Sequence, residues 1–533
     1  MPASSSTTRT SGRLGRTAAL ADIGCGLWAW RPHPRFLHTS CTARQDRQVA
    51  MRAGRLGLAM HQRPLRLPRR LVRFATAPVA LSAALLAGCS VAPVPQVPQD
   101  APASWAAPVP AAPQAAPVDL QGWWKVFGDE RLDALVARAL QANLDVRVAA
   151  SRLRQARLLA SAEGTRFLPL ASAGLHPVRD PRATDSFLHL SLDVTWELGL
   201  FGAGESGDRV AQGQIAAAEW QVQGARVAVV AEVVRRWLEL HAARDQQALW
   251  TAIAQADDQS AGTARARWDN RLGTAADVAQ AQARAAQARA TAAGYAGAVQ
   301  TAGVALAQLL GESAAGDWAT QPAAAGLPPV SVRELPANLL RSRPDVRQAE
   351  AGVLRAAGEA GLAQAELSPR LALTGGVLRS FNVTERRATA THSTFSIAPS
   401  IDVPLFDWGR RQDRARAADE AVQEALLAHR KAVLDGVAEA ETALGLLATQ
   451  RERERLLAAA AQAAQAQETQ LQARTRAGLA GASDAPALAR VRLLAQSELR
   501  DAQSGAALAF VALYKALGGA PLPEPETPQA SRP

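Results

Sequence analysis

The sequence repeats its landmarks after about 200 residues, and this long period constrains the fold more than any local motif does. Asp145 and Asp345 are 200 positions apart, and so are Pro169 and Pro369. Further pairs follow in the same order with offsets of 205 or 207: Phe201 and Phe406, Asp277 and Asp484, Gly311 and Gly518. A period of this length is too long for a solenoid, so it indicates that one whole half of the chain is duplicated.

Each half is predicted to contain the same order of elements. In the first half, a helix from Arg131 to Gly164 precedes two short strands and a very long helical stretch. That stretch runs from about Gly207 to Leu310 with an interruption near 270–276. Its first limb of roughly 65 residues would be about 100 Å long, which suits a coiled-coil wall better than a compact globule. Alanine is abundant here and favours close packing of the helices.

The sharpest local pattern is a strict alternation of apolar and polar residues, which predicts one β-strand in each half. The apolar positions of the first strand are Leu188, Leu190, Leu192, Val194 and Trp196. Those of the second strand are Phe395, Ile397, Ile401 and Val403. Shorter, less regular partner strands are predicted at about 167–175 and 370–378.

Two structures fit this alternation. One is a strand half-buried on a soluble core, and the other is a strand of a transmembrane barrel with its apolar side toward lipid. Ten or more residues span roughly 30–35 Å, enough to cross a bilayer at a tilt. No apolar run long enough for a transmembrane helix follows Cys89, which favours the barrel. Four strands cannot enclose a lumen, so several chains would have to share one barrel.

Residues 60–88 have the features of a lipoprotein signal peptide. A basic segment from Arg63 to Arg73 precedes an apolar run that ends in Leu-Ala-Gly before Cys89, as in a bacterial lipobox. Lipid on Cys89 would attach the chain to a bilayer without spanning it. A plain signal peptide, or a short apolar helix with a chance cysteine, is the alternative.

The net charge of +11 belongs to the leader. Residues 1–88 contain 14 Arg and two acidic residues, which leaves 45 basic and 46 acidic residues for 89–533. The mature chain therefore gives no reason to expect a nucleic-acid partner.

We expect 1–59 to be an upstream over-extension of the reading frame, because Met60 would start a signal of ordinary length. The further predicted boundaries are a tether at 89–120, a first repeat at 121–312, a linker at 313–335, a second repeat at 336–519 and a disordered tail at 520–533.

Several motifs, spread over 121–519, match one family in the same order. They are Trp123-Trp124 with Phe127-Gly128-Asp129, WELGLFG at 196–202, LLRSRPDVR at 339–347, PLFD at 404–407 with Gly409-Arg410, and LYKALGG at 513–519. With them the chain resembles the outer-membrane factor lipoproteins of tripartite efflux systems, the TolC-like family. Gly199 replaces an Asp that is usual in that family.

The resemblance implies a mixed α+β membrane protein that works as a homotrimer. Each protomer would give four strands to a shared twelve-stranded β-barrel in the outer membrane and long helices to a periplasmic α-helical barrel. A periplasmic adaptor and an inner-membrane pump of the RND type would be its partners. Ser90 after the lipidated Cys89 would direct the chain to the outer membrane. The channel would conduct small molecules passively, without a cofactor or a metal.

The turns at the far ends of the long hairpins would form a periplasmic tip that gates the channel and docks the adaptor. The resemblance assigns to this tip Arg474, Arg476, Gly478 and Asp484 in the second half, and Arg271, Gly273 and Asp277 in the first. Three copies of Asp484 would form an acidic ring that favours cations, or Asp484 would cap the next helix; both roles are compatible. The position six residues before Asp277 is Arg271 and not Gly, and we predict Asp277 to be a helix N-cap.

The sequence contains no catalytic motif. Histidines 176, 189, 241, 392 and 429 share no metal-ligand spacing along the chain, and neither a nucleophile elbow nor a phosphate loop occurs. We therefore predict that the chain is not an enzyme. Two alternatives to a small-molecule efflux duct stay open: a type I-like duct for protein or polysaccharide secretion, and a non-conducting periplasmic coiled-coil lipoprotein.

Overall fold

The computed structural model describes residues 93–97, 119–179, 186–314, 316, 343–383 and 391–522. The predicted lipid anchor at Cys89 lies outside the described residues. So do the leader, most of the tether and linker, and residues 523–533.

Helices make up most of the described chain. The first half contains a short 3-10 helix (Trp123–Phe127), α1 (Glu130–Ala142), α2 (Leu144–Gly164), and the long hairpin of α3 (Ala203–Asp269) and α4 (Ala275–Leu309). The second half contains α5 (Pro344–Ala365), α6 (Arg410–Arg476), a 3-10 turn (Ala482–Asp484) and α7 (Ala485–Ala516). None of the helices in these ranges is both long and apolar enough to cross a membrane.

Two strand hairpins, one from each half, form a single antiparallel sheet. Its strands are β1 (Leu170–Arg179), β2 (Ser186–Glu197), β3 (Arg370–Asn382) and β4 (Thr391–Asp402), in that order across the sheet. The two alternating segments predicted to be strands are β2 and β4. The partner strands differ from the prediction, since β1 begins at Leu170 and both β1 and β3 extend four residues further than expected. The two sheet edges are formed by β1 and β4.

The prediction of one continuous helix from Arg131 to Gly164 is wrong. Asn143 has a ψ of 132° and separates α1 from α2. Its side-chain oxygen accepts hydrogen bonds from the N–H groups of Asp145 and Val146 at 2.9 and 3.3 Å. Its amide nitrogen donates to the carbonyl of Leu309 at 3.0 Å, which ties the start of α2 to the end of α4. Hydrophobic periodicity continues across such a cap, so it does not reveal the break.

The helices α3 and α6 each contain 67 residues, and both of their ends are offset by 207 positions. Each is preceded by the same left-handed pair: Phe201 and Gly202 have φ of 53° and 81°, and Trp408 and Gly409 have φ of 62° and 83°. Trp408, and not the predicted Phe406, therefore has the position and backbone conformation before α6 that Phe201 has before α3. The cause is that the second half has two more residues between its last strand and its long helix.

Small residues allow α3 and α5 to approach closely below the sheet. A Cβ atom on Gly358 would lie 2.7 Å from the carbonyl oxygen of Ser206, and one on Gly213 would lie 2.7 Å from the nitrogen of Arg355. No side chain fits at such distances, so these two glycines fix the contact between the helices.

The largest hydrophobic core joins the segment around Trp123 to the last long helix. It packs the 3-10 helix and α1 against the middle of α3 and the end of α7, with Leu132, Leu240 and Phe510 fully buried. Trp123 stacks on Tyr514 with ring centroids 5.3 Å apart, and its indole nitrogen donates to the carbonyl of Gly519 at 3.1 Å. This core anchors the roots of the long hairpins, which leaves their far ends as the tip.

Candidate functional site

The register of the sheet places the predicted apolar residues of both halves on one face, here called the apolar face. Leu192 lies opposite Val377, which lies opposite Phe395, and residues opposite each other point to the same side. By the same register the face contains Leu188, Leu190, Leu192, Val194 and Trp196 of β2, Leu371, Leu373 and Val377 of β3, and Phe395, Ile397 and Ile401 of β4. Val403 lies just beyond the end of β4.

The apolar face is exposed in this chain. Phe395 is 70% exposed and Ile401 66% exposed, while Leu188 and Trp196 are half-buried. The indole nitrogen of Trp196 donates to the carbonyl of Phe167 at 2.9 Å, which holds this aromatic ring at the helix end of the strand. A strand half-buried on a soluble core would cover these side chains, so that alternative does not describe the sheet. A continuous exposed apolar face is typical of contact with lipid or another subunit.

The opposite face, here called the polar face, contains mainly hydroxyl, carboxylate and imidazole groups. Three histidines lie on it in a single row, because His176 is opposite His189, His189 is opposite Ser380, and Ser380 is opposite His392. The sequence alone does not reveal this row, because its histidines have no metal-ligand spacing along the chain. The histidines are distant along the chain, and only the strand register brings them to one level.

The first tip connects α3 to α4 and begins with a left-handed residue. Arg271 has a φ of 59°, and the N–H of Leu272 donates to the carbonyl of Arg267 at 2.7 Å. This is the hydrogen bond of a Schellman C-cap, a motif that usually has glycine at the left-handed position. Gly273 is half-buried, and a Cβ atom there would lie 3.4 Å from Cβ of Arg267.

The predicted role of Asp277 as a helix N-cap is wrong, because Thr274 is the N-cap and Asp277 is the third residue of the helix. The hydroxyl oxygen of Thr274 accepts a hydrogen bond from the N–H of Asp277 at 3.2 Å. In return, the carboxylate accepts from the N–H of Thr274 at 2.9 Å and from its hydroxyl at 2.8 Å. These hydrogen bonds, the backbone one first, hold the pKa of Asp277 below its usual range. The carboxylate is thus used to start α4.

The second tip has the same backbone turn with different side chains. Gly478 has a φ of 72°, and the N–H of Leu479 donates to the carbonyl of Arg474 at 2.8 Å. Arg474 and Arg476 lie in the exposed last turn of α6, where their positive charge interacts favourably with the carbonyl groups at the end of the helix.

Asp484 occupies the N-cap position of α7, but its side chain makes no capping hydrogen bond. Gly481 stands three residues before it, where the first tip has Thr274 three residues before Asp277, so the hydroxyl that completes a capping box is missing. The exposed carboxylate of Asp484 only accepts a long hydrogen bond, 3.4 Å, from the hydroxyl of Ser483. Both carboxylates are exposed, but that of Asp277 is held by hydrogen bonds to Thr274, whereas that of Asp484 makes no capping hydrogen bond.

Buried polar contacts between α3 and α7 join the two long hairpins above the tip. Asp257 is 1% exposed and lies 3.0 Å from the guanidinium of Arg490. Further along the same interface, Gln246 donates to the carbonyl of Ser497 at 2.8 Å and accepts from its hydroxyl at 2.6 Å. Sequence reasoning missed these pairs, since their partners are more than 200 residues apart.

The model of the family described as "Outer membrane efflux protein" matches residues 135–312 and again 335–519. The pyoverdine export outer membrane protein OpmQ of Pseudomonas aeruginosa is 28% identical over 386 residues, which cover 68% of this chain and 80% of OpmQ. Nodulation protein T of Rhizobium leguminosarum bv. trifolii is 24% identical over 380 residues, covering 69% and 80%. The solved structure of the outer-membrane channel OprN is similar, with a TM-score of 0.71 and 28% identity over 82% of this chain and all of that one.

Proposed function

The chain belongs to the outer membrane efflux protein family, and from this membership we propose that three copies form one duct between the periplasm and the cell exterior. Each copy is an outer-membrane channel subunit of a tripartite efflux system. A periplasmic adaptor and an inner-membrane pump, which we propose to be of the RND type, complete the system.

The observation that carries this proposal is the two-faced sheet with two free edges. Four strands cannot close around a lumen, whereas three copies would supply twelve strands and leave no edge. The apolar face would then contact lipid and the polar face would line the pore. Strands of 10–13 residues reach roughly 30–40 Å, which matches a bilayer crossed at a tilt.

We propose that the two halves are copies of one strand-and-helix unit. Support comes from features that recur 207 positions apart: the ends of α3 and α6, the left-handed residues before them, and the left-handed residues at the tips. The family model also matches the chain twice.

We propose that the tip gates the duct and docks the adaptor. Under threefold symmetry, three exposed Asp484 carboxylates would form an acidic ring, which favours cations at the entrance. Arg474, Arg476 and Gly478, together with Arg271 and Gly273, would form the docking surface around it. Acyl chains on Cys89 would hold the other end of the chain at the membrane.

For the cargo we propose small molecules as a class. Relatives of the chain include the pyoverdine export protein OpmQ and a toluene efflux pump outer membrane protein of Pseudomonas putida, so members of this family differ in what they carry. A channel shared by different pumps has little need for a specific binding site.

The test is reconstitution of the full chain into planar bilayers, after extraction in detergent. We expect a heat-modifiable trimer that conducts and prefers cations. Asp484→Asn should reduce the cation preference and change the leak of the closed state, while Asp277→Asn, the matched control, should leave both unchanged because that carboxylate is held in its cap. A monomer that never conducts would overturn the duct, and an unaltered preference in Asp484→Asn would overturn the acidic gate.

A further inference from the structure

We propose that His176 and His189 form a two-ligand site for a borderline transition-metal ion, of the class of Zn²⁺, Ni²⁺ or Cu²⁺, on the polar face of the sheet. The two residues are directly opposite each other on β1 and β2. The site goes beyond passive conduction, and metal binding by this pair does not depend on how many copies assemble.

The cross-strand geometry suits chelation. Residues opposite each other on antiparallel strands have Cβ atoms about 4.5–5.5 Å apart, and Zn–N bonds are about 2.0–2.1 Å long. Two imidazoles on one face can therefore turn their nitrogens toward a common ion. In the described part of the chain, neither imidazole makes a hydrogen bond or an ion pair, so the nitrogens of both are free to bind.

Gly174 leaves room for one of the two rings. An added Cβ atom on this glycine would lie 2.5 Å from Cε1 of His176 and 3.0 Å from the hydroxyl oxygen of Ser191. The ring of His176 thus occupies the space that any larger residue at position 174 would fill. Ser191 is opposite Gly174 on β2, so its hydroxyl borders this space on the same face.

The row contains a third histidine that the pair does not need. His392 is separated from His189 by the whole of β3, about 10 Å at the usual spacing of strands. Accordingly, the described residues contain no group of three acidic, thiol or imidazole side chains placed to hold a metal. Two imidazoles with water completing the coordination suit Zn²⁺, Ni²⁺ and Cu²⁺, whereas Mg²⁺ and Ca²⁺ prefer oxygen ligands.

The position of the pair gives it a consequence for transport. The last paired residues before the connection between β1 and β2 are Arg179 and Ser186, only three positions beyond the histidines. The pair therefore lies near the end of the sheet that is far from the helices. If the polar face lines the pore as proposed above, bound metal would add positive charge near the outer mouth and slow the passage of cations.

Binding is tested by calorimetric titration of the full chain, purified in detergent without a histidine tag, with Zn²⁺. Loss of a residue that only hydrogen-bonds to a metal ligand typically weakens metal binding roughly 10–100-fold. We expect His176→Asn and His189→Asn, which remove a ligand itself, each to weaken Zn²⁺ binding by at least this much. His392→Asn, the matched control from the same row, should bind like the parent. Unchanged affinity in both pair variants, or a loss confined to His392→Asn, would overturn the site.

A second measurement separates this site from the proposed duct. Zn²⁺ added on the side of the strand connections should reduce the current of the parent but not that of His176→Asn. A chain that binds Zn²⁺ through His176 and never conducts would refute the duct and retain the site. A conducting parent whose current ignores saturating Zn²⁺ would refute the position of the site in the pore.

Discussion

The two tips end helices of equal length with the same backbone turn, yet they use their side chains differently. In the first tip, Thr274 and Asp277 form reciprocal hydrogen bonds in a capping box, and the carboxylate of Asp277 stabilises the start of α4. In the second tip, Gly481 offers no hydroxyl, and the carboxylate of Asp484 stays exposed. The comparison teaches that the position of an acid at a helix start does not define its role. The residue three positions earlier decides whether that acid is hydrogen-bonded in a cap or left without one.

The roots of the hairpins show a second difference of this kind. In the first half the neutral side chain of Asn143 donates to the carbonyl of Leu309. In the second half the guanidinium of Arg343 donates to the carbonyl of Ala516, which is the residue 207 positions after Leu309. Arg343 is 6% exposed and also pairs with Asp345 at 2.6 Å and Glu439 at 2.8 Å. The contact at the first root is therefore made by a neutral amide group, and the contact at the second root by a buried, charged guanidinium group.

The largest expected effect is at the charged root. Arg343→Ala removes hydrogen bonds to a carbonyl and two carboxylates, and we expect a loss of about 2–3 kcal/mol, reduced from the value for a fully buried pair because both carboxylates are partly exposed. Asn143→Ala, the matched change, should cost about 1 kcal/mol as the loss of a neutral cap. Hydrogen exchange of α5 and of the start of α2 measures the two effects. Equal losses in the two variants would contradict the comparison.

The pKa of Asp345 shows how strong the charged root is. Burial raises the pKa of this carboxyl, but the hydrogen bonds and charge of Arg343 outweigh burial, and the pKa lies below its usual range. The carboxylate is therefore kept ionised beside the guanidinium at neutral pH.

Much of the strand structure could be predicted from the sequence, whereas the contacts between strands could not. Alternation identified β2 and β4 and the side chains of the apolar face, because a period of two reflects the geometry of a single strand. The row that contains His176 and His189 depends on the register between strands, which no local pattern contains. The same holds for the pair of Asp257 and Arg490, which forms only when two distant helices pack.

The tips show both outcomes side by side. Arg271 lies six residues before Asp277, as Gly478 lies six before Asp484, and both residues have a left-handed backbone. The role of Asp277 was misassigned, although Thr274 three positions before it is a recognised sign of a capping box. The sequence therefore contains the local signal that identifies this capping box.

A smaller effect is expected at the left-handed position of each tip. Gly478→Ala places a Cβ at a φ of 72° and should cost about 1 kcal/mol of local stability. Arg271→Ala, the matched control at a φ of 59°, should cost close to nothing, since a side chain with this backbone is already present. Hydrogen exchange at the C-terminal ends of α6 and α3 compares the two. A loss of similar size at both tips would show that the turns differ in more than their side chains.

The smallest effect on stability, and the sharpest test of the comparison, is expected from Gly481→Thr. The 3-10 turn Ala482–Asp484 leads directly into α7, so a hydroxyl at position 481 would stand just before this helical run and three residues before Asp484, as Thr274 stands before Asp277. It would complete a capping box. Replacing glycine at such a position stabilises a helix start by only a few tenths of a kcal/mol. The backbone can accept the change, because a Cβ atom there would meet only the hydroxyl of Ser483, at 3.4 Å.

The consequence for conduction should be larger than the consequence for stability. A carboxylate that accepts hydrogen bonds from the introduced hydroxyl and from the backbone is held at the start of α7 and is no longer free to turn toward the pore, so we expect the preference for cations to fall. Gly481→Ala is the control, since it adds a Cβ without a hydroxyl and should leave the preference unchanged. Single-channel recordings in asymmetric salt measure the preference, and hydrogen exchange at the start of α7 reports whether the cap has formed. If the cap forms and the cation preference stays at the parental value, Asp484 does not contribute to the gate. The difference between the tips would then have no role in selectivity.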